Sequence, residues 1–115
     1  METRNAERDW SVYLVRRADG ALYTGVALDV RKRLEEHRAG RGAKALRGRA
    51  PLALVVHSRV GERGLAQRVE SRIKLLSKAS KERLVASRGG VRRLIARERR
   101  AADAEQAATA ERRSR

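Results

Sequence analysis

Five polar side chains in the first two thirds of the chain form a set that could do acid–base and electrostatic chemistry. They are two tyrosines, an arginine, a histidine and a glutamate, namely Tyr13, Tyr23, Arg33, His37 and Glu70. A phenol or an imidazole can transfer a proton, a guanidinium binds anions, and a carboxylate binds hard cations such as Mg²⁺ or Mn²⁺. Their joint chemistry depends on whether the fold brings them to one face.

Both tyrosines lie in a predicted β-hairpin, residues 10–26, which contains every aromatic residue of the chain. Its two arms are apolar and rich in β-branched residues. They flank Asp19-Gly20, a dipeptide typical of tight reversals between antiparallel strands. The length of the loop decides whether the two phenols share a face, because side chains alternate along a strand.

A two-residue loop would put Tyr13 and Tyr23 on opposite faces. A three-residue loop, Ala18-Asp19-Gly20 with a left-handed Gly20, instead pairs Arg17 with Ala21 and makes the two tyrosines diagonal neighbours on one face. We expect the three-residue loop. The alternative for the tyrosines themselves is that they are half-buried strand residues that only pack.

A helix is predicted from Asp29, a good N-cap, to about Ala39-Gly40. Arg33 and His37 lie one turn apart at the edge of its apolar stripe, so they could present a guanidinium and an imidazole side by side. The alternative is an arginine that snorkels over the core and a histidine in the last helical turn, where the helix dipole favours the charged imidazole.

Residues 40–49 form a predicted loop that is rich in glycine and basic residues and contains no acid. Its four cationic side chains are Arg41, Lys44, Arg47 and Arg49. Glycine lets a backbone approach a phosphate closely, and the cations supply the charge, so we interpret the loop as a contact to a nucleic-acid backbone. The alternative is a mobile surface loop.

The segment 52–58 is almost continuously apolar, which predicts a third strand with both faces largely covered. A second helix is predicted from about Glu62 to Ser77, and Glu70 lies on the shoulder of its buried face. If Glu70 faces a cleft, its carboxylate is a ligand for Mg²⁺ or Mn²⁺. The alternative is an ordinary surface pair with Lys74.

The rest of the chain divides into a domain and two ends. A short third helix is predicted over residues 80–85, and Gly89-Gly90 then marks the end of the compact domain, residues 10–87. Residues 1–9 are expected to be flexible. Residues 88–115 form a tail rich in arginine and alanine with few apolar residues to bury, which predicts a marginal helix or disorder.

The charge of the chain points to a polyanionic partner. Its 115 residues include 29 Lys and Arg against 14 Asp and Glu, which gives a net charge of +15. Nucleic acid is the leading partner, because no basic amphipathic segment carries the bulky apolar anchors of a membrane helix. The absence of cysteine excludes disulfides and thiolate metal sites, and we expect a cytoplasmic protein without export signal or membrane span.

The order of these features resembles the GIY-YIG nuclease family. Ser11-Val12-Tyr13 stands where the first tripeptide falls, with serine in place of its glycine, and Tyr23-Thr24-Gly25 stands where the second falls. Arg33, His37 and Glu70 follow at the positions of the helix arginine, the histidine one turn later and the metal-binding glutamate. The likeness covers roughly residues 10–85 and is greatest to small stand-alone bacterial members.

The resemblance implies an α+β fold, a three-stranded antiparallel sheet flanked by helices in the order β-β-α-β-α-α, with the site residues on one concave basic face. It implies a DNA endonuclease that uses Mg²⁺ or Mn²⁺. Arg33 would clamp the scissile phosphate, Glu70 would hold the ion, and His37 would bind phosphate or relay a proton. Either Tyr13 or Tyr23 would be the general base, its pKa lowered by Arg33 and the metal.

The expected setting is the bacterial cytoplasm, with access to the nucleoid, and DNA repair or the processing of branched or nicked DNA. The expected partners are DNA and a protein that directs the choice of substrate, with no membrane and no small-molecule cofactor. The main alternative is a non-catalytic nucleic-acid-binding module on the same scaffold. A basic RNA-binding protein would explain the charge but not the tyrosine, arginine and glutamate set.

Overall fold

The computed structural model of the chain describes residues 9–114, so the predicted flexible N-terminus lies outside the described residues except for Asp9. The described residues form an α+β fold, a three-stranded antiparallel sheet flanked by helices, as the sequence predicts. The elements in chain order are β1 (Trp10–Arg16), β2 (Leu22–Ala27), α1 (Val30–Arg38), β3 (Ala53–Gly61), α2 (Arg63–Lys74), α3 (Lys78–Ala86) and α4 (Gly90–Arg113). A short 3-10 turn, Lys44–Leu46, lies between α1 and β3.

The β1–β2 hairpin has the three-residue loop. The strand register pairs Tyr13 with Gly25 and Val15 with Tyr23, and the N–H of Arg17 donates to the carbonyl of Ala21 at 2.9 Å. The glycine that closes the loop has a φ of 87°, the left-handed conformation that this bulge requires. The prediction is confirmed, and the two tyrosines share one face of the sheet.

Alternation along β1, the central strand, sends its side chains to two separate apolar clusters. Tyr13 and Val15 pack with the buried stripe of α1, and we call this side of the sheet the tyrosine face. Val12 and Leu14 pack on the other side with side chains of α2 and α4, and we call that side the helical face. The candidate site residues of the hairpin and of α1 therefore belong to one side of the sheet.

α1 begins where the sequence predicts. The carboxylate of Asp29 caps it by accepting the N–H of Lys32 at 3.1 Å. The loop that follows α1 is anchored at two points: Leu46 is buried in the cluster of the tyrosine face, and the carbonyl of Arg49 accepts the N–H of Ala18 at 2.9 Å. The loop therefore has a fixed path although its basic side chains are exposed.

The prediction that β3 is covered on both faces is wrong. β3 is an edge strand, and three of its nine residues are exposed, namely Ala53, His57 and Arg59. The register with β1 shifts between Leu14 and Val15, and the consecutive residues Val55 and Val56 both pack against the cluster of the helical face, whereas Leu54 packs against the other. An irregularity in the ladder, and not burial on both faces, explains the continuous apolar run.

α2 packs on the helical face through Ala66, Val69 and Ile73. It ends at Lys74, before the predicted end at Ser77, because Ser77 is the N-cap of α3. The Ser77 hydroxyl accepts the N–H of Ser80 at 3.1 Å. α3 is accordingly longer than the helix that the sequence predicts.

α4 corrects the predicted domain boundary at residue 87. Of the two states predicted for the tail, the helix is the one that forms, and it is 24 residues long. Val91, Leu94 and Ile95 of its first half join the core of the helical face. Three apolar residues suffice because this spacing puts them on one side of the helix. Within residues 9–114 no helix, α4 included, is both long and apolar enough to cross a membrane.

A charged network fastens α4 to α2. The buried carboxylate of Glu98 accepts hydrogen bonds from Nε of Arg68 at 2.8 Å and from Nε of Arg72 at 3.3 Å. Arg68 also donates to both carboxylate oxygens of Glu105, at 2.8 and 3.0 Å. The hydrogen bond from Arg68, helped by Arg72, holds the pKa of Glu98 below its usual value despite burial. Loss of these partners would leave a buried charge unpaired, so the network fixes the position of α4.

The packing of α4 predicts that Ile95→Ala lowers the free energy of unfolding by about 2–4 kcal/mol, because the substitution removes a buried side chain and leaves a cavity. Urea denaturation measures this change. Gln106→Ala, on the exposed second half of the same helix, is the control and should shift the value by less than about 0.5 kcal/mol. Equal stability of Ile95→Ala and the wild type would contradict the docked helix.

Candidate active site

Three rings form a cluster on the tyrosine face. The ring centroids of Tyr13 and Tyr23 are 6.3 Å apart, and the ring of His37, from the last turn of α1, lies 5.9 Å from the first and 5.6 Å from the second. Tyr13 and His37 are buried, whereas Tyr23 is half-buried. The hairpin and the helix thus bring three of the five candidate residues into contact.

The hydrogen bonds of His37 determine which of its nitrogens carries the proton. The backbone N–H of Ala43 donates to Nδ1 at 3.2 Å, and Nε2 lies 2.8 Å from the hydroxyl oxygen of Tyr13. Because a nitrogen that accepts a hydrogen bond has no proton, the neutral ring carries its proton on Nε2 and donates it to Tyr13. The hydroxyl proton of Tyr13 is then available to a group that binds at the tyrosine face.

Two glycines make room for the rings of this hydrogen bond. A Cβ atom on Gly25 would lie 2.5 Å from the hydroxyl oxygen of Tyr13, and one on Gly42 would lie 2.0 Å from Nδ1 of His37. Neither distance is compatible with a side chain while the two rings keep these positions. Gly25 is the glycine of the Tyr23-Thr24-Gly25 segment, so its place in that segment has a steric reason in this protein.

The environment keeps His37 neutral. Burial lowers the pKa of its imidazole, and the positive charge of Arg33 adds to the effect. The alternative considered from the sequence, in which the end of the helix favours a charged histidine, is therefore wrong. Desolvation is the larger effect because the ring lies inside the core and not at the surface.

Tyr13 also stays uncharged. Burial and the neighbouring phenol of Tyr23 raise the pKa of Tyr13 to about 12, whereas hydrogen bonding and the charge of Arg33 lower it only in part. The expected lowering is thus not achieved by Arg33 alone. At neutral pH the Tyr13 hydroxyl keeps its proton and is a hydrogen-bond donor.

The charges of Arg33, from α1, and Glu70, from α2, act on the ring cluster. Arg33 is half-buried, its charge acts on both buried rings, and one of its terminal nitrogens is 3.6 Å from the carboxylate of Glu36. Glu70 is half-buried, its charge acts on Tyr13, and Nζ of Lys74 is 3.4 Å from its carboxylate. The sequence offers two interpretations of Glu70, a surface pair with Lys74 and a functional role beside the tyrosines. In the structure Glu70 pairs with Lys74 and its charge also acts on Tyr13.

Glu70 is the candidate ligand for a divalent cation here, because its carboxylate acts on Tyr13. Among residues 9–114 no three His, Asp or Glu side chains are grouped closely enough to hold a metal ion. Glu70 therefore suits an open site, in which the ion keeps several waters and shares its coordination between a single carboxylate and the phosphate of a substrate. Mg²⁺ is commonly bound in this way, so the donor set fits the implied ion.

The four cations of the basic loop are exposed and are joined to the ring cluster through the backbone. Ala43, which donates to His37, lies between Arg41 and Lys44.

A groove of about 1520 Å³ lies elsewhere, between α2 and α4, and none of the candidate residues lines it. We assign the candidate site to the tyrosine face because two buried polar rings, Tyr13 and His37, are hydrogen-bonded to each other there and are both held uncharged.

The structure adds one residue that sequence reasoning missed. His57 of β3 is paired directly with Tyr13 and is exposed. Directly paired side chains lie on the same face of a sheet, so this imidazole borders the ring cluster on the side away from Tyr23. His57 can be identified as a neighbour of Tyr13 only from the β1–β3 register. This register cannot be predicted from the sequence because the ladder is irregular.

The raised pKa of Tyr13 predicts a loss of stability at high pH. The unfolded chain ionises this phenol near pH 10 and the folded chain only near 12, so its contribution is complete below 10 and is lost as the pH rises to about 12. Tyr13→Phe, which removes the titrating group, should reduce the fall in the free energy of unfolding between pH 9 and 11, measured by urea denaturation. Identical pH profiles of the two proteins would contradict a buried, protonated Tyr13.

The chain is similar to known proteins and to a solved structure. A UPF0213 protein of Citrobacter koseri is 53% identical over 87 residues, which cover 76% of this chain and 87% of the relative. The UPF0213 protein YhbQ of Escherichia coli K12 is 51% identical over 86 residues, which cover 75% of this chain and 86% of the relative. The solution NMR structure of a UPF0213 protein from Bacillus halodurans is 40% identical, covers 71% of this chain and 87% of that chain, and superposes with a TM-score of 0.48.

The model of the GIY-YIG catalytic domain matches residues 9–83. This range contains the hairpin, the basic loop and all five candidate site residues. It ends before α4, so α4 belongs to the packed core of this chain without being part of the match. The extent of the match, together with the relatives of more than half identity, shows that the chain belongs to the GIY-YIG family.

Proposed function

We propose that the protein is a divalent-metal-dependent DNA endonuclease that hydrolyses phosphodiester bonds. The observation that carries this proposal is the hydrogen bond from a buried, neutral His37 to Tyr13, beside Tyr23 and within reach of the charges of Arg33 and Glu70. A protein that only binds phosphate needs lysine and arginine. A carboxylate at this place repels DNA unless a cation lies between them.

The two phenols would serve the attacking water. Hydrolysis forms a bond between the water oxygen and phosphorus, breaks the bond to the leaving oxygen, and moves a proton from the first oxygen toward the second. Tyr13 holds its proton at neutral pH and can donate a hydrogen bond to the water or to a phosphate oxygen. Tyr23 borders the same space and is more accessible. One phenol would then orient the water, while the other, ionised under the influence of Arg33 and a bound cation, would accept the water's proton.

His37 and Arg33 would hold the reacting groups in place. The imidazole fixes the Tyr13 hydroxyl by donating to its oxygen, and the same donation would stabilise a phenolate if Tyr13 transferred its proton. Arg33 has a planar guanidinium that can bind two phosphate oxygens at once. Its place beside the rings would put its charge where negative charge accumulates in the transition state.

Glu70 would hold the divalent cation through its carboxylate. An ion bound there, Mg²⁺ or Mn²⁺, would supply positive charge to the phosphate oxygens and to the leaving oxygen. Lys74 forms an ion pair with Glu70 in the absence of substrate, and this ion pair would have to break when the cation binds. With one carboxylate from the protein, Glu70 would bind the ion weakly until DNA adds its own oxygens.

The basic loop would bind the DNA backbone next to the cluster, with Arg41, Lys44, Arg47 and Arg49 as phosphate contacts. The net charge of +15 supports a polyanionic substrate. We place this activity in the bacterial cytoplasm, in the repair or processing of branched or nicked DNA, with a protein partner that directs it to its substrate.

Glu70→Gln is expected to reduce cleavage by at least about 100-fold and to keep or tighten DNA binding, since it removes a cation ligand and a charge that repels phosphate. Cleavage of linear, nicked, flapped and four-way-junction DNA with Mg²⁺, Mn²⁺ or EDTA, and binding measured in EDTA, test both parts. The matched control is Glu35→Gln, an exposed carboxylate on α1 that should change neither. Tight binding by the wild type without cleavage under any metal would instead favour a non-catalytic binding module.

Substitutions of Arg33 and Arg47 are expected to change different quantities, the first kcat and the second the affinity for DNA. Arg33→Ala should lower kcat by at least about 100-fold, because its charge acts at the reacting phosphate. Arg47→Ala should mainly weaken binding and reduce the slope of log Kd against log salt by about 1, because it removes one backbone contact. Equal effects of both substitutions on kcat and on the salt slope would contradict this division between chemistry and binding.

A further inference from the structure

The first half of α4 carries an excess of positive charge that the tyrosine face does not use. It has five exposed arginines, namely Arg92, Arg93, Arg97, Arg99 and Arg100. The acid in this stretch, Glu98, is buried and pairs with α2. Among residues 9–114 none of the five is ion-paired with a carboxylate, in contrast to Arg16 and Arg68, which are.

Three of these arginines form a ridge. Arg93, Arg97 and Arg100 are spaced i, i+4 and i+7, so they lie along one side of α4 over about 10 Å. We call them the arginine ridge. Single exposed arginines are common, but a row of three charges without counter-ions is unfavourable in the free protein and becomes favourable when an anion of similar length binds.

The ridge borders a groove between α3 and α4, of about 330 Å³, that adds further donors. Arg83 of α3 and the hydroxyls of Ser80 and Ser87 line it together with Arg93 and Arg97. Terminal nitrogens of Arg83 and Arg93 donate to Ser80 Oγ and Ser87 Oγ, each at 2.9 Å. These bonds hold the two guanidinium groups in place without neutralising them.

The ridge and the tyrosine face lie on opposite sides of the molecule. α4 turns Val91, Leu94 and Ile95 toward the helical face of the sheet, and exposed arginines occupy its outer side. Tyr13 projects from the other face of the same strand. A straight duplex that lies across the tyrosine face therefore does not reach the ridge.

The chemistry of the ridge favours a nucleic-acid backbone over a lipid surface. The exposed side of the first half of α4 bears arginine without a large apolar side chain, whereas an interfacial helix needs such anchors. Arginine binds phosphate oxygens in pairs, and charges spaced along one line fit the phosphates of one strand. The second half of α4 is nearly balanced in charge, so the excess positive charge of the helix lies in its first half, which carries the ridge.

We propose that the arginine ridge is a second DNA-binding surface, so that one molecule holds two duplex segments, one at the tyrosine face and one at α4. This inference rests on the proposed binding of DNA at the tyrosine face. It identifies the substrate class as DNA in which two duplex arms lie close together, because such DNA can occupy both surfaces at once.

A capture experiment in EDTA tests the inference without cleavage. One duplex is immobilised, the full-length protein is added, and retention of a second, labelled duplex is measured. The ridge variant is Arg97→Gln with Arg100→Gln, and the matched control is Arg112→Gln with Arg113→Gln at the exposed end of the same helix. The variant of the other surface is Arg47→Gln with Arg49→Gln. Sedimentation measures the oligomeric state, and thermal melting checks the fold.

The wild type is expected to retain the second duplex as a monomer. The ridge variant should lose at least about fivefold of this retention while its affinity for a single short duplex changes less than about twofold, since the tyrosine face is intact. The control should behave as the wild type, and the loop variant should lose both activities.

Three results would overturn the inference: no retention by the wild type, equal retention by the ridge variant, or an equal loss in the ridge variant and the control. If the protein retains the second duplex as a dimer and the ridge variant does so equally well, the result counts as equal retention by the ridge variant. Cleavage of a short linear duplex with Mg²⁺ is measured separately. A wild type that does not cleave but shows ridge-dependent retention would contradict the nuclease proposal and leave the second surface in place.

Discussion

The hydrogen bond between His37 and Tyr13 is the contact on which the site depends. A buried imidazole needs partners for both of its nitrogens, and here one partner comes from the hairpin and the other from the loop after α1. The bond exists only if the hairpin has its three-residue loop, the helix ends just after His37, and Gly25 and Gly42 leave space for the rings. One buried polar contact thus constrains three separate pieces of local structure.

The same burial gives the site an unusual electrostatic character. The protein carries a net charge of +15, yet the two buried rings at the centre of its tyrosine face are both neutral. Desolvation raises the pKa of Tyr13 to about 12 and lowers that of His37, so both shifts favour the uncharged form. The positive charge near these rings is therefore that of neighbouring groups such as Arg33. In the proposed hydrolysis, the charge that stabilises the phosphate would come from Arg33 and from a bound cation.

Local signals were enough for the parts of the fold that are close in sequence. Asp19-Gly20 and the alternation around it predict the hairpin and the shared face of the tyrosines, and Asp29 predicts the start of α1. The docking of α4 could not be predicted in this way, because it depends on the pairing of Glu98 with arginines about 30 residues away. The position of His57 depends on an irregular strand register, and the pKa values depend on burial, neither of which has a local signature.

The loop between His37 and Leu46 is held at both ends, by the Ala43 N–H on the imidazole and by a leucine side chain in the core. Its contour length is therefore set by the interior of the protein and not by the surface. Exchange of its exposed side chains would leave the proton on the same nitrogen of the histidine. A single inserted or deleted residue would remove either the imidazole's acceptor bond or the buried leucine. In the design of variants, the exposed side chains of this loop are free to vary, whereas Gly42 and the length of the loop are fixed by the buried histidine.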